Sequence, residues 1–359
     1  MQIIYDNIIF SLQRAGGISI YWTELTKRVL YKNIKFYESK NQNIFRRDIN
    51  IKTNIENKLS LKILRYMPFL KNISNKSIFH SSYYRISLQK NIVNITTVHD
   101  FTYEYYRTGI AKYIHVWQKN FAIKKSDGII CVSENTKKDL IKFLPNIDVS
   151  KIKVIYNGVG EEFIRLQNPQ IHLIDKFKFL KGKKYILYIG DRSSYKNFDI
   201  AVNTLSALSK YIFVVVGGQK FSDYEDILMK DINNRVFHFR GIDGVELNNL
   251  YNNAFCLLYP SSYEGFGIPI TEAMKSGCPV VSTNISSIPE VAGDATLLVD
   301  EIKVDNFIKE IKKLENISVR SELINKGLEQ SKKFSWDKCF DETYCFYEDI
   351  WNKKFGDKV

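Results

Sequence analysis

YPSSYEGFGIPITEAMKSGCPVVSTNISSIPEVAGD, running from Tyr259 to Asp294, decides how the rest of this chain is read. The apolar run FCLLYPSS (Phe255 to Ser262) leads into it and CPVVSTN (Cys278 to Asn284) closes its middle, with a turn and a helix between them. Strand, turn, helix and strand in succession form the repeating unit of a parallel α/β sheet. Gly265 and Gly267 leave the backbone of the turn uncovered. Pro269 fits the first helical turn, where a missing N–H costs nothing, and Gly277 supplies a stop. The N–H groups of Gly265, Phe266, Gly267 and Ile268 are therefore expected to face an anion, with the positive end of the helix behind them. Glu264 stands before that turn, and Glu272 follows after seven intervening residues. Two carboxylates so placed can bracket a ligand that carries phosphate between hydroxyl-rich groups, and a nucleotide diphosphate sugar is such a ligand. The plainer alternative is a surface helix whose first-turn Glu complements the helix dipole.

Outward from this segment the same alternation continues in both directions. Upstream lie KYILYIGD (Lys184 to Asp191), a helix from about Asn197, IFVVVGG (Ile212 to Gly218), VFHFRG (Val236 to Gly241) and a helix from Gly244 to Asn253; ATLLVD follows downstream. The first half has its own series: IIYDNIIF (Ile3 to Phe10), a break at Gly16-Gly17 before a helix, SIFHSS (Ser77 to Ser82), NIVNITTVHD (Asn91 to Asp100), DGIICVS (Asp127 to Ser133) and KIKVIYNGV (Lys151 to Val159). A length of 359 residues exceeds one ordinary core. The expected architecture is α/β with two Rossmann-like domains, residues 1–165 and 166–335, joined through an unpatterned linker between Gly160 and Gly182. Residues 336–359 form a closing helix with apolar residues at helical spacing. Ligands of such sheets lie beyond the carboxyl ends of the strands, which is where each motif falls.

Composition narrows the function classes. The five cysteines are scattered without a C-x-x-C pair, and no Asp-x-Asp occurs, so neither a structural zinc site nor a metal held by such an acidic pair is expected. No uncharged run approaches the length of a membrane span and no leader pattern opens the chain, so a cytoplasmic location is expected. The net charge is +13, but the basic residues are dispersed and no nucleic-acid reader motif is present, so nucleic acid is not an expected partner. A denser basic patch spans 46–76, with eight Lys or Arg against two acids. Within it LSLKILRYMPFLKN (Leu59 to Asn72) alternates basic and apolar residues and suits peripheral contact with an anionic membrane. The alternative there is a solvated helix packed on its own domain, and Pro68 interrupts any long amphipathic helix.

Two strand ends carry further candidates. Arg192 and Lys196 follow the strand that Gly190 ends, and two cations there can neutralise a departing diphosphate. His99 and Asp100 end another strand, where His can donate to a sugar hydroxyl.

Pro260-Ser261, Glu264, Glu272, Gly277 through Val281 and Pro289-Glu290-Val291 resemble the donor-binding segment of the family 4 retaining glycosyltransferases, which have the GT-B fold. The resemblance implies two Rossmann-like domains facing each other across a cleft, with the last helix crossing back to the first domain. It implies that Glu272 takes the ribose hydroxyls, that Glu264 and the amides of 265–268 meet sugar and diphosphate, and that Ile242 and Leu247 meet the base. Lys196-Asn197 matches the family's basic loop, His99-Asp100 its strand-end pair, Gly16-Gly17 its N-terminal glycine loop and Asn157-Gly158-Val159 its Asn-Gly-Val. The implied activity is retaining transfer of a hexose, with GDP-mannose favoured over UDP-hexoses, to a lipid-linked oligosaccharide for O-antigen, capsule or exopolysaccharide. No enzyme nucleophile and no cofactor or metal is implied. A GT-B epimerase or phosphorylase, and a basic membrane- or nucleic-acid-binding protein without catalysis, are the competing readings.

Overall fold

The computed structural model describes residues 1–29, 33–47, 49–56, 59–170 and 172–356. Asp48, Asn57 and Lys58 of the basic patch lie outside the described residues. The chain divides into two compact units, residues 1–158 with 336–359, and residues 159–335.

In the first unit the short parallel strands are β1 (Gln2–Asp6), β2 (Ile34–Tyr37), β3 (Thr53–Asn54), β4 (Ser77–Ser81), β5 (Ile92–Val98), β6 (Gly128–Cys131) and β7 (Ile152–Val154). Among the described residues they make one sheet in the order β3-β2-β1-β4-β5-β6-β7, every neighbour parallel. Runs rich in Ile, Val and aromatic residues form the central strands β1, β4, β5 and β6, buried or nearly so on both faces and flanked by more exposed strands. The second unit holds β8 (Tyr185–Ile189), β9 (Ile212–Val216), β10 (Val236–Phe239), β11 (Cys256–Tyr259), β12 (Val280–Thr283) and β13 (Leu297–Val299), ordered β10-β9-β8-β11-β12-β13. That is the doubly wound order, in which the strand sequence reverses between β8 and β11. Two Rossmann-like units are therefore present.

The run expected to be a strand through Phe10 stops at Asp6. Asn7 turns the chain, its N–H bonded to Tyr37 and its side-chain oxygen accepting from the Trp22 indole at 2.6 Å, and Ile9–Leu12 form a short helix. Burial alone produced that apolar run, since Ile8, Ile9 and Phe10 enter the core from a turn. The unit boundary falls at Gly158 rather than at 165, and the expected linker is not free. Asn248, Asn249 and Asn252, on the helix Gly244–Asn253, accept from the N–H groups of Ile164, Ile174 and Leu166 at 3.1, 3.4 and 2.7 Å. Phe163, Leu173, Phe177 and Leu180 are buried. Side-chain capture of the backbone leaves no periodicity in the sequence of the captured strand of chain.

The helix Trp336–Phe355 belongs to the first unit. It buries Trp336, Cys339, Phe340, Thr343, Phe346, Tyr347 and Ile350, a single stripe at helical spacing. Asp337 pairs with Arg28 of the helix Gly17–Arg28 at 2.7 Å.

Candidate functional site

In the second unit the chain leaves β8 through Gly190, whose φ of 126° suits glycine, and runs to the helix Phe198–Ala207. It leaves β11 through Pro260 and enters the helix Ile268–Lys275 at Gly267, with φ 101° and Pro269 in the first turn. These two exits flank the switch point of the sheet, where ligands of this architecture bind. Asn197 joins them: its side-chain amide donates to Pro260 O at 2.7 Å and to Ser262 Oγ at 2.6 Å, while Ser262 N donates to Tyr195 O at 2.7 Å. Ser286 and Ser287 brace the turn from below, donating to Glu264 O at 2.6 and 2.9 Å, and Ser287 also to Phe266 O at 3.0 Å.

Held this way, Lys196 Nζ lies 2.5 Å from Glu264 Oε1 and 3.1 Å from Tyr259 Oη. Burial works against the ammonium charge, but Glu264 more than offsets it, so Lys196 titrates above its ordinary range and stays charged. Tyr259, buried, stays a neutral hydroxyl. Glu272 sits in the helix behind, buried, with Tyr251 Oη donating at 3.0 Å. Burial raises its carboxyl to about 7, partly countered by Tyr251 and reinforced by Glu162. Ile242 and Leu247 are half-buried beyond β10, in the loop and in the helix Gly244–Asn253.

One expected contact takes another place, and one side chain of the turn is turned inward. Arg192 turns away from Lys196: its Nε lies 2.5 Å from Glu225 and its Nη2 donates to the carbonyls of Gln219 and Lys220 at 2.8 and 3.1 Å. Its side chain is 5% exposed. A guanidinium fork filled by a carboxylate and carbonyls holds a loop rather than a ligand. The Phe266 ring is buried edge-on against Phe334, so only its backbone faces the turn.

The first unit carries its own candidates at strand ends. Gly16 precedes the helix Gly17–Arg28, and a Cβ there would stand 2.8 Å from Gln13 Oε1. Tyr21 of that helix meets the His99 ring edge-to-face at 5.0 Å. Burial lowers His99 to about 4, against the pull of Asp100, so the imidazole is neutral at physiological pH and able to accept or donate one hydrogen bond. Asp100 Oδ1 accepts from Thr102 N at 2.9 Å and is spent on its own helix start.

Asn197, Tyr251, Tyr259, Ser286 and Ser287 had no assigned role in the sequence reading. Asn197 alone had a local signal, as the polar residue after Lys196 at a strand-to-helix turn; the others act across sequence separations that no local pattern reports.

Known proteins fit this geometry. The family model described as Glycosyl transferases group 1 matches residues 170–330, and that described as Glycosyltransferase Family 4 matches residues 51–163. O-antigen chain mannosyltransferase B of Escherichia coli is 28% identical over 270 residues, 71% of this chain and 70% of that one. O-antigen chain mannosyltransferase RfbU of Salmonella typhimurium is 29% identical over 68% of this chain and 67% of its own. The sucrose-phosphate synthase structure from Thermosynechococcus elongatus superposes with a TM-score of 0.80 over 98% of this chain and all of that one, at 17% identity, and the shared fold is GT-B. With one family model on each unit, relatives of one activity class and the doubly wound order in the sheet that carries Lys196 and Glu264, this chain belongs to glycosyltransferase family 4.

Proposed function

We propose that the protein transfers a mannosyl residue from GDP-mannose, with retention at the anomeric carbon, to a hydroxyl of a lipid-linked oligosaccharide in bacterial surface polysaccharide assembly. The observation that carries the transfer chemistry is Lys196 Nζ held 2.5 Å from Glu264 at the switch point of the second sheet. A diphosphate arriving there meets a buried ammonium already charged, with the N-terminus of the helix Ile268–Lys275 beside it. Such preorganised charge favours the developing negative charge of the departing nucleotide. Glu264, Glu272 and the turn 265–268 position the donor, and His99 with the Gly16 loop serves the acceptor side. The departing phosphate takes the acceptor's proton on the face it leaves, so no enzyme nucleophile is assigned.

Mannose is supported by the two relatives, both O-antigen mannosyltransferases. Metal independence is supported by the absence of Asp-x-Asp, with Lys196 supplying the cation. A membrane-surface location on the cytoplasmic side is supported by the lipid-linked acceptor and by exposed apolar and basic residues of the first unit. Two measurements test the reading. In a thermal-shift panel of nucleotide sugars with and without Mg²⁺, GDP-mannose is expected to stabilise most, with or without metal. Lys196→Ala is expected to lower transfer by about 100-fold or more. Because removing one partner of a buried pair costs about 3–5 kcal/mol, the variant's circular dichroism must first match the parent's. Full transfer by folded Lys196→Ala, or stabilisation by no nucleotide sugar, defeats the proposal.

A further inference from the structure

Beside the Gly16 loop the first unit has a second concavity, a cleft of about 630 Å³ lined by Arg14, Glu38, Asn41, Asn43, Arg46 and Arg47 among others. Its walls are the segments that follow the carboxyl ends of the adjacent parallel strands β1 and β2, where ligands of such sheets collect. The walls are tied together: Asn43 Nδ2 donates to Gln13 O at 2.9 Å, Ile44 N to Arg14 O at 3.0 Å, and Ser11 Oγ to Ser39 O at 3.1 Å. The cleft is built by the fold on both sides and is not a gap between loose loops.

Its charge is unbalanced. Glu38 is the acid named in the lining, and it is already used, accepting from Arg46 Nε at 2.8 Å, Asn41 Nδ2 at 2.5 Å and Asn7 Nδ2 at 3.2 Å. Arg14 and Arg47 are exposed and have no ion-pair partner among the described residues. Two guanidinium groups beside a polar wall match a dianion, and the fork geometry of Arg fits phosphate oxygens in pairs.

We infer that this cleft seats the phosphate or diphosphate of the acceptor, with Arg14 and Arg47 as its cationic contacts. The inference rests on the glycosyltransferase reading above and narrows it.

Hydrogen exchange read peptide by peptide tests this on the intact protein. Inorganic pyrophosphate and a short-chain prenyl diphosphate are expected to slow exchange in the peptide 38–47. Arg14→Gln with Arg47→Gln is expected to raise the concentration needed by at least about tenfold, with the peptide 190–197 unaffected by the substitutions. Protection at lower concentration by the prenyl diphosphate identifies a lipid linker as the source; equal protection identifies a free phosphate or phosphosugar, and either supports a phosphate site. No protection of 38–47 by either probe, protection that persists in the double variant, or equal protection by a phosphate-free alkyl glycoside overturns it. Stabilisation by nucleotide sugars tests the donor site independently, so failure of the cleft and failure of the transferase reading are told apart.

Discussion

Glu272, proposed to bind the donor, carries a stability penalty. Its carboxyl is raised to about 7 by burial, so folding takes up a proton where an exposed Glu would be ionised. A group with a raised folded-state pKa contributes stability in acid that is lost as pH rises, here between the ordinary Glu value and about 7. Above that window a buried, ionised carboxylate remains, with the Tyr251 hydroxyl as its neutral donor. Glu272→Gln is therefore expected to raise the apo protein's stability at pH 8 by about 1–3 kcal/mol and to leave it nearly unchanged at pH 5. The same substitution is expected to weaken nucleotide-sugar binding by about tenfold or more, since an ionised carboxylate accepts ribose hydroxyls better than an amide. Urea titrations at the two pH values and calorimetry with the nucleotide sugar read both effects; stabilisation without loss of binding removes Glu272 from the donor site. Glu272 can be singled out from sequence because a Glu at fixed distance from a glycine turn has a local signature. Arg192 had a similar local signature, yet Glu225, 33 positions later, captures its guanidinium, and that partner is invisible to any reading of the loop alone.

At the scale of elements, the strands with continuous apolar runs were readable from sequence, while β2 and the edge strand β3 were not. β2 has one buried residue in four and β3 none, so neither carries the continuous apolar run that marks β4, β5 or β6. The helix Trp336–Phe355 was readable as a helix, and the family resemblance implied its return to the first unit, where it lies; the contacts that seat it were not readable. Tyr347 shows what fixes it: its hydroxyl lies 2.5 Å from His80 Nδ1 and 3.2 Å from Tyr5 Oη, and Thr97 Oγ1 meets the other ring nitrogen of His80 at 2.9 Å. Burial, with a small contribution from His99, lowers His80 to about 3, so the ring is neutral and needs both partners. A glycine completes the fit, since a Cβ on Gly128 would stand 2.9 Å from the Phe346 ring. Tyr347→Phe leaves a buried imidazole nitrogen unpaired and is expected to cost about 1–3 kcal/mol. Phe346→Ala, which opens a cavity against Gly128, is expected to cost about 3–5 kcal/mol. Equal urea midpoints for parent and Tyr347→Phe would show that the His80 network does not hold the helix.

For the whole molecule, the charge of +13 is the feature that asks for a partner, and the first unit supplies a surface for one. The segment expected to lie on a membrane, Leu59 to Asn72, forms only a four-residue helix at Leu61–Leu64 and buries Leu64 and Phe69 in its own unit. Ile63, Tyr66 and Leu70 nevertheless stay exposed. They are joined by a stripe that the sequence reading missed: Ile110, Tyr113, Ile114 and Trp117, spaced to share one face of the helix Gly109–Lys125, are exposed by 77, 72, 43 and 65%. Gln118 of that helix donates to Arg65 O, which sets the two segments side by side. Four large apolar side chains on one face give no core signal in isolation, because the same spacing marks any amphipathic helix and only the fold reveals which face is left uncovered. Lys62, Arg65, Lys71 and Arg107 belong to the same segments or precede the helix, so at the proposed membrane surface apolar insertion and attraction to anionic lipid would act together. Each large apolar side chain buried contributes about 1.5–3 kcal/mol. Ile110→Ser with Trp117→Ser is therefore expected to weaken binding to vesicles containing phosphatidylglycerol by more than about tenfold, while leaving nucleotide-sugar stabilisation intact. Raised salt is expected to weaken the parent's binding as well, since the basic contribution is screened within a Debye length. Co-sedimentation with anionic and with neutral vesicles decides it: equal binding of parent and double variant to anionic vesicles assigns the attachment to charge alone and removes the stripe from the interface.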